Sequence, residues 1–500
     1  MNIMMLLEMA ASAYPDRTAF YDPIEDESTT YGQLLDDARS RSQMLRESGA
    51  SRCVLLDTSN LSIPIALFSS SWAGIPYVPI NYRLTDDEID ALLERLQPAY
   101  LITDDKLAAK YVGRRELQVV RRNDFRAATP VNPNDDFHWS MEPSEVSVLL
   151  FTSGTTGVPK AAVMRQRHLV SYILSSVEFM SSGEDESTLV SVPPYHIAGI
   201  GAILSSVYSG RRVVQMAQFD AQEWLRLAKE QNVTTAFVVP TMLARIVNAM
   251  DEQESTQLPH LQSIAYGGGK MPRRVVERAL ERFPNTEFTN AYGLTETSST
   301  VTVLGPREHR AAMDSADSDI RRRLASAGVP LPGIELDIRD SRGRSLPDGS
   351  HGEIYVRGDQ VSGEYEGRGS LLDENGWFCT RDAGYIENGY LFLEGRSDDV
   401  IVRGGENLSP GEIEDVLLEH ESVDDAAVVG VPSEEWGEAV AAVLVVNQSV
   451  AVSDLQQWVR EQMRSSRVPE SIEFWKELPY NETGKLLRRV IRNQLLKASD

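Results

Sequence analysis

The chain has 500 residues, 42% of them hydrophobic, which is ample for a sizeable core and argues for about two to four domains. A formal charge of −25 opposes binding to nucleic acid or to an anionic membrane surface. Two cysteines, Cys53 and Cys379, with no CxxC pair, exclude a disulfide framework, argue against structural zinc and fit a reducing cytoplasm.

At the amino terminus, no basic residue precedes Arg17, and Glu8 interrupts the apolar stretch from Ile3 to Ala11. That pattern predicts an amphipathic first helix rather than a secretory signal. No run reaches the roughly 18 apolar residues of a membrane span, so no integral membrane contact is expected. Ser147-Val148-Leu149-Leu150-Phe151 predicts a buried strand, followed by TSGTTGVPK from Thr152 to Lys160. Gly154 and Gly157 let backbone N–H groups approach an anion. The hydroxyls of Thr152, Ser153, Thr155 and Thr156 add donors, and Lys160 adds charge. A polyphosphate suits this chemistry, although the spacing is not that of a Walker A loop. A plain polar surface turn is the alternative.

Arg211 to Met216 reads as a strand. Asp220 then caps a helix with Glu223 three residues on and Trp224, Leu225 and Ala228 on one face. Ala236 to Val239 predicts another strand, ended by Pro240, and this alternation marks a parallel sheet with crossovers. Ala265-Tyr266-Gly267-Gly268-Gly269 would let something flat lie against bare backbone, and Asn290 to Thr297 reads NAYGLTET. The segments Ala127 to Pro143 and Glu308 to Arg323 read as surface connections. From Gly352 to Gly395 the texture turns to short, turn-rich strands, with Asp382 in a tight turn. A polar break, Gly395-Arg396-Ser397-Asp398, marks a domain boundary. Beyond it lie a helix pattern (Glu412 to Glu419), a buried strand (Ala426 to Val431) and a basic terminal helix, preceded by LPYNETGKL from Leu478 to Leu486.

Together these segments resemble the adenylate-forming superfamily: acyl- and aryl-CoA synthetases, nonribosomal-peptide adenylation domains and firefly luciferases. The likeness runs in order from Thr30-Tyr31-Gly32 through Trp72-Ala73-Gly74 and Tyr77-Val78-Pro79 to Lys485. It implies an α/β fold: a large N-terminal domain, 1–394, of parallel-rich sheets with packed helices and a turn-rich β subdomain. A hinge at 395–398 and a small mobile α+β C-terminal domain, 399–500, complete it. The resemblance implies that Thr152 to Lys160 holds the β- and γ-phosphates of ATP. It places Tyr292 on adenine opposite Gly267, Gly268 and Gly269, within the nucleotide-binding run Asn290-Ala291-Tyr292-Gly293. Asp382 would accept hydrogen bonds from both ribose hydroxyls, and Arg396 would contact the ribose. Thr295 and Glu296 would reach the α-phosphate and its Mg²⁺, with Glu296 the metal ligand. Lys485 would catalyse adenylation by relieving the repulsion between carboxylate and phosphate as charge builds. The plainer alternatives are a core tyrosine, a solvated turn aspartate, a surface arginine and one more lysine in a basic tail.

For the second half-reaction the resemblance assigns Asp398 to the hinge position. Arg403-Gly404-Gly405-Glu406-Asn407 matches the strand that later enters the site, with Gly404 and Gly405 leaving room for a pantetheine arm. A simple glycine bend is the alternative. Free coenzyme A is therefore the expected acceptor. A carrier-protein thiol or amine as acceptor, or a non-carboxylate oxyanion as the activated group, stays open, as does a pseudoenzyme. Pro193 to Gly199 matches the segment that lines and gates the acyl pocket, with His196 at its mouth. Ala198, Gly199, Gly201 and Ala202 give small walls, which leaves a fatty, aromatic or polycyclic acid as substrate. Three departures from the family pattern stand out: Ala161 and Arg381, each where glycine is usual, and a short Gly363–Gly376 segment. Homodimerisation is left open.

Overall fold

The computed structural model describes residues 1–127, 138–152, 159–251, 257–269, 271–481 and 486–499, with four sheets among them. The strand expected from Ser147 is Val146–Thr152. It lies in an eight-stranded sheet between Tyr77–Pro79 and Lys160–Arg165. In a nine-stranded sheet, Arg212–Gln215 and Thr235–Val238 both pair in parallel with Ser187–Val190 between them, and Ser263–Gly267 and Glu287–Leu294 follow in parallel beyond Thr235–Val238, the parallel sheet that the alternation required. Helices cover these sheets, so the parallel strands read as near-continuous apolar runs.

Between them lies a core that includes the helix Ser62–Ala73, buried from Ser62 through Trp72. A helix apolar all round needs no wet face. Two of its serines are satisfied within it, the hydroxyls of Ser69 and Ser70 donating to the carbonyls of Ile65 and Ala66, each at 2.6 Å, while Ser71 donates outside it to the Asn2 side chain at 2.7 Å. The first helix, Met4–Ala13, buries Met4, Leu6, Leu7, Ala10 and Ala11 against this core. Asp220 caps the helix Ala221–Glu230 by accepting from the N–H groups of Gln222 and Glu223. Trp224, Leu225 and Ala228 are buried as expected, but the Glu223 carboxylate pairs with Arg226 rather than returning to the cap.

Two expectations about local structure change. Glu308 to Arg323 is not a surface connection: it carries the helices Pro306–Asp314 and Ser318–Arg322. The charged residues hid a buried stripe, because His309 and Ala312 face inward, and Arg310 donates to the carbonyls of Leu280, Phe283 and Thr286. Asp382 is not in a turn after a strand but within the long strand Phe378–Glu387, at a bulge where the register with Gly352–Arg357 shifts. Most of Ala127 to Pro143 lies outside the described residues.

The turn-rich region forms a four-stranded antiparallel sheet ordered Glu335–Arg339, Gly352–Arg357, Phe378–Glu387, Tyr390–Arg396. After the 3₁₀ turn Ser397–Asp399 the chain enters a five-stranded sheet built on the long hairpin Val423–Ser433 and Gly437–Val446. Helix Pro410–Leu418 covers this sheet, and the basic terminal helix Arg488–Ser499 packs against it through Ile491 and Leu495. The architecture is α/β, with a large N-terminal sheet domain and a smaller C-terminal one.

Candidate active site

A cleft opens where the nine-stranded sheet, the four-stranded sheet and the C-terminal domain meet. Gly268, Gly269, Asn290, Ala291, Tyr292 and Gly293 line it, as do Asp382 and Arg396. The Tyr292 hydroxyl donates to Asp382 at 2.7 Å, and Arg396 pairs with the same carboxylate at 2.9 Å. Antiparallel pairing sets Asp382 opposite Arg396 across the two strands. Burial, followed by the Asp382 charge and hydrogen bond, pushes the Tyr292 phenol far up, so it remains a donor. Gly267 does not line the cleft. It is buried in its strand, where a Cβ would come within 2.1 Å of the Ala291 carbonyl oxygen. Gly268, at φ +84°, is the residue that opens the wall.

Beside this cleft Thr295 and Glu296 form a 3₁₀ turn, Thr295–Thr297, at the end of strand Glu287–Leu294. Glu296 is 8% exposed and makes no ion pair among the described residues, so its carboxylate has room for a cation. Among the described residues the Tyr365 hydroxyl donates to its Oε1. Tyr365 lies on the strand Glu364–Tyr365, which adds to the strand Lys160–Arg165 at Ala162. Thr152 and Lys160, which bracket the glycine-rich loop, pair with each other, and the Lys160 ammonium sits 5.9 Å from the Tyr365 ring centroid. Ser153, Gly154, Thr155, Thr156 and Gly157 lie outside the described residues. Sequence reasoning missed Tyr365, because the GEYEG run offered only a glycine-flanked aromatic.

Lys485 also lies outside the described residues, but both flanks of its loop are placed. Tyr480 and Leu486 bridge each other, and the Leu487 N–H donates to the Pro479 carbonyl at 2.9 Å. The Tyr480 hydroxyl donates to Asp425 at 2.8 Å, and Arg488 grips Glu414 at 2.6 and 2.8 Å. Burial pushes the Asp425 carboxyl up to about 6, while the Tyr480 bond opposes the shift. Tyr480, Leu486 and Arg488 line the same cleft as Tyr292 and Asp382. Gly404 and Gly405, at φ +57° and +84°, turn between Ile401–Arg403 and Glu406–Leu408 beside Trp436 and line no part of that cleft.

His196 precedes the helix Ile197–Ser209, and its ring packs against Tyr195 at 4.7 Å, tilted by 57°. Burial, with Arg83 nearby, pulls its imidazole down to about 4, and its Nε2 is buried without a hydrogen bond. A Cβ on Gly201 would lie 3.5 Å from both Ser299 and Tyr172, which places the small wall of this helix against those side chains. Near Pro193 a second hollow is lined by Arg83, Ser191, Gln218, Thr241, Arg245 and Asn481.

The comparisons with known proteins agree with this arrangement. The pattern of the AMP-binding enzyme family matches residues 7–366, and that of the AMP-binding enzyme C-terminal domain matches residues 412–485. A 2-succinylbenzoate–CoA ligase of Bacillus licheniformis is 31% identical over 492 residues, 96% of this chain and 98% of that one. A fatty acid–[acyl-carrier-protein] ligase of Streptomyces coeruleorubidus is 31% identical over 496 residues, 94% of this chain and 92% of that one. The solved o-succinylbenzoate CoA synthetase of Bacillus subtilis, in complex with its acyl-adenylate intermediate, superposes with a TM-score of 0.82 at 27% identity. That match covers 98% of this chain and 97% of the other. The same enzyme with ATP and a magnesium ion gives a TM-score of 0.83 at 28% identity, covering 98% of this chain and 99% of that one. This chain belongs to the AMP-binding enzyme family of adenylate-forming ligases.

Proposed function

We propose that the protein is an AMP-forming acid–thiol ligase, which joins a carboxylic acid to ATP as an acyl-adenylate and then passes the acyl group to coenzyme A. The observation that carries this reading is the meeting of Tyr292, Asp382 and Arg396 in one cleft with both flanks of the Lys485 loop. In the first step the acid's carboxylate oxygen attacks the α-phosphorus of ATP and pyrophosphate leaves. Asp382 would take the ribose hydroxyls once nucleotide displaces the Tyr292 bond, and Tyr292 would lie along the base. The bracket of Thr152 and Lys160 would hold the outer phosphates. Mg²⁺ would neutralise phosphate charge, and the unpaired Glu296 carboxylate is the group suited to hold it, with Thr295 beside it. Lys485 would stabilise the charge that grows as the carboxylate and α-phosphate approach.

In the second step the thiol attacks the acyl carbonyl and AMP leaves. We assign residues 395–398 to a hinge and 399–500 to a mobile domain that brings Gly404 and Gly405 to the site. The hollow containing Arg83 and Arg245 is suited to a phosphate-bearing thiol, which supports coenzyme A. For the acid, an aromatic carboxylate related to 2-succinylbenzoate fits the relatives and the wall formed by Gly201, Tyr172 and Ser299. The equally similar carrier-protein ligase favours one second reading, with a fatty acid and a protein-borne thiol. A cytoplasmic setting suits the two free cysteines, and no described helix is long and apolar enough to cross a membrane.

The test is pyrophosphate release with ATP and Mg²⁺ over a panel of aromatic and fatty acids, each with and without coenzyme A. An aromatic acid whose AMP release requires coenzyme A is the expected result. Turnover that ignores coenzyme A but needs a carrier protein would shift the acceptor. Failure of every acid to release pyrophosphate would remove the ligase reading.

A further inference from the structure

Two parts of the proposed site must grip one triphosphate, yet they grow from different sheets. The glycine-rich loop leaves the eight-stranded sheet, and Glu296 follows a strand of the nine-stranded sheet. One short segment, Ser362 to Glu366, connects them. At its start the N–H groups of Ser362 and Gly363 donate to the Glu296 carbonyl at 2.9 and 3.0 Å. At its end the Glu366 N–H donates to the Ala161 carbonyl at 2.9 Å, next to Lys160. Arginines clamp it on the loop's side: Arg165 holds Glu364 through two bonds of 2.8 and 2.7 Å. Arg52 and Arg95 hold Glu366 at 2.8 and 3.2 Å. In the middle, Tyr365 crosses from the loop's sheet to the Glu296 carboxylate, with the Lys160 ammonium over its ring.

A nearly buried carboxylate with no cation has free lone pairs and free rotation unless something fixes it. The Tyr365 hydroxyl occupies one oxygen and leaves the other to a metal. Partners that orient a metal's ligand in this way set affinity about as strongly as the ligand's own placement.

We infer that Tyr365 is a positioning residue for the metal: held by the Ser362–Glu366 strap, it aims the Glu296 carboxylate at the Mg²⁺ of a bound nucleotide. This rests on the proposed adenylating function. It adds a residue with no part in the chemistry.

The experiment is calorimetric binding of α,β-methylene-ATP to the full-length protein and to Tyr365→Phe across a Mg²⁺ series, with neither acid nor coenzyme A present. Tyr365→Phe removes only the hydroxyl. The expected result is unchanged affinity for metal-free nucleotide and a Mg²⁺ requirement raised by about tenfold or more. Glu364→Gln, which loosens the strap while sparing the hydroxyl, should shift the Mg²⁺ requirement in the same direction by less, and it serves if the phenylalanine variant does not fold. Identical Mg²⁺ curves for parent and variants would overturn the inference, as would an equal loss with and without metal. If the parent itself binds no nucleotide, it is the adenylating function that has failed.

Discussion

Arg381 shows how one residue reports on a site it does not enter. It stands at φ +62°, the left-handed region where a side chain costs about 1 kcal/mol or more. The strain has a use: it forms the bulge that turns the Asp382 carboxylate toward Tyr292 and Arg396. The guanidinium points away, exposed and 3.8 Å from Glu353, an ion pair of little worth at that exposure. Arg381→Gly should therefore keep the bulge, relieve the strain and raise the melting temperature by about a degree or two, with unchanged ATP affinity. Calorimetry and nucleotide titration on the same preparation check both. A drop in ATP affinity would mean that the arginine's charge acts on the nucleotide after all.

At the scale of elements, what could be read beforehand was whatever repeats or buries strongly. The strand before the glycine-rich loop, the Asp220-capped helix and the terminal basic helix were legible because apolar spacing and caps are local signals. The strand holding Asp382 was misread because a bulge depends on its cross-strand partner. Tyr365 was invisible because its meaning comes from two sheets separated in sequence. The helix Pro306–Asp314 was missed because charge masked its buried residues. His309 lies within it, fully buried, with Nδ1 donating to the Gly305 carbonyl at 2.7 Å and Nε2 accepting from the Tyr266 hydroxyl at 2.8 Å. Both bonds need a neutral ring with one N–H. Burial lowers the His309 pKa below its unfolded value of about 6.5, so the unfolded chain binds the extra proton first. Its contribution is present above about pH 6.5 and is lost as pH falls below that. Amide protection in this helix, corrected for the intrinsic pH dependence of exchange, should fall on acidification, and more steeply than in the helix Ala221–Glu230, which buries no histidine. Tyr266→Phe, which orphans Nε2, should loosen the same helix at neutral pH by about 1–3 kcal/mol. A pH dependence of protection that is the same in the two helices would remove His309 from this role.

At the scale of the whole molecule, the proposed function would use different faces of the C-terminal domain for the two halves of the reaction. In this structure the flanks of the Lys485 loop, Tyr480 and Leu486, share the cleft with Tyr292, while the Gly404–Gly405 turn lies outside it against Trp436. Arg488 also reaches Asp399 at 3.5 Å, which ties the lysine loop to the segment just after the proposed hinge. Under the proposed function, a domain held this way would serve the first half-reaction, and thioester formation would require it to turn. The two faces should then fail separately. Lys485→Ala should cut acid-dependent pyrophosphate exchange by about a hundredfold or more, because a cation serving the transition state is gone. It should still convert supplied acyl-adenylate to thioester. Gly405→Leu should do the reverse. No atom lies within 4 Å of a Cβ at Gly405 here, so the side chain obstructs nothing in the present arrangement. Its backbone at φ +84° resists leucine, at a cost of about 1–2 kcal/mol confined to an exposed turn. Once the turn enters the site, leucine would occupy the width a pantetheine arm needs. The two partial reactions, assayed on both variants, decide the matter: a common defect in both half-reactions would mean that one fixed arrangement of the domains performs the whole cycle.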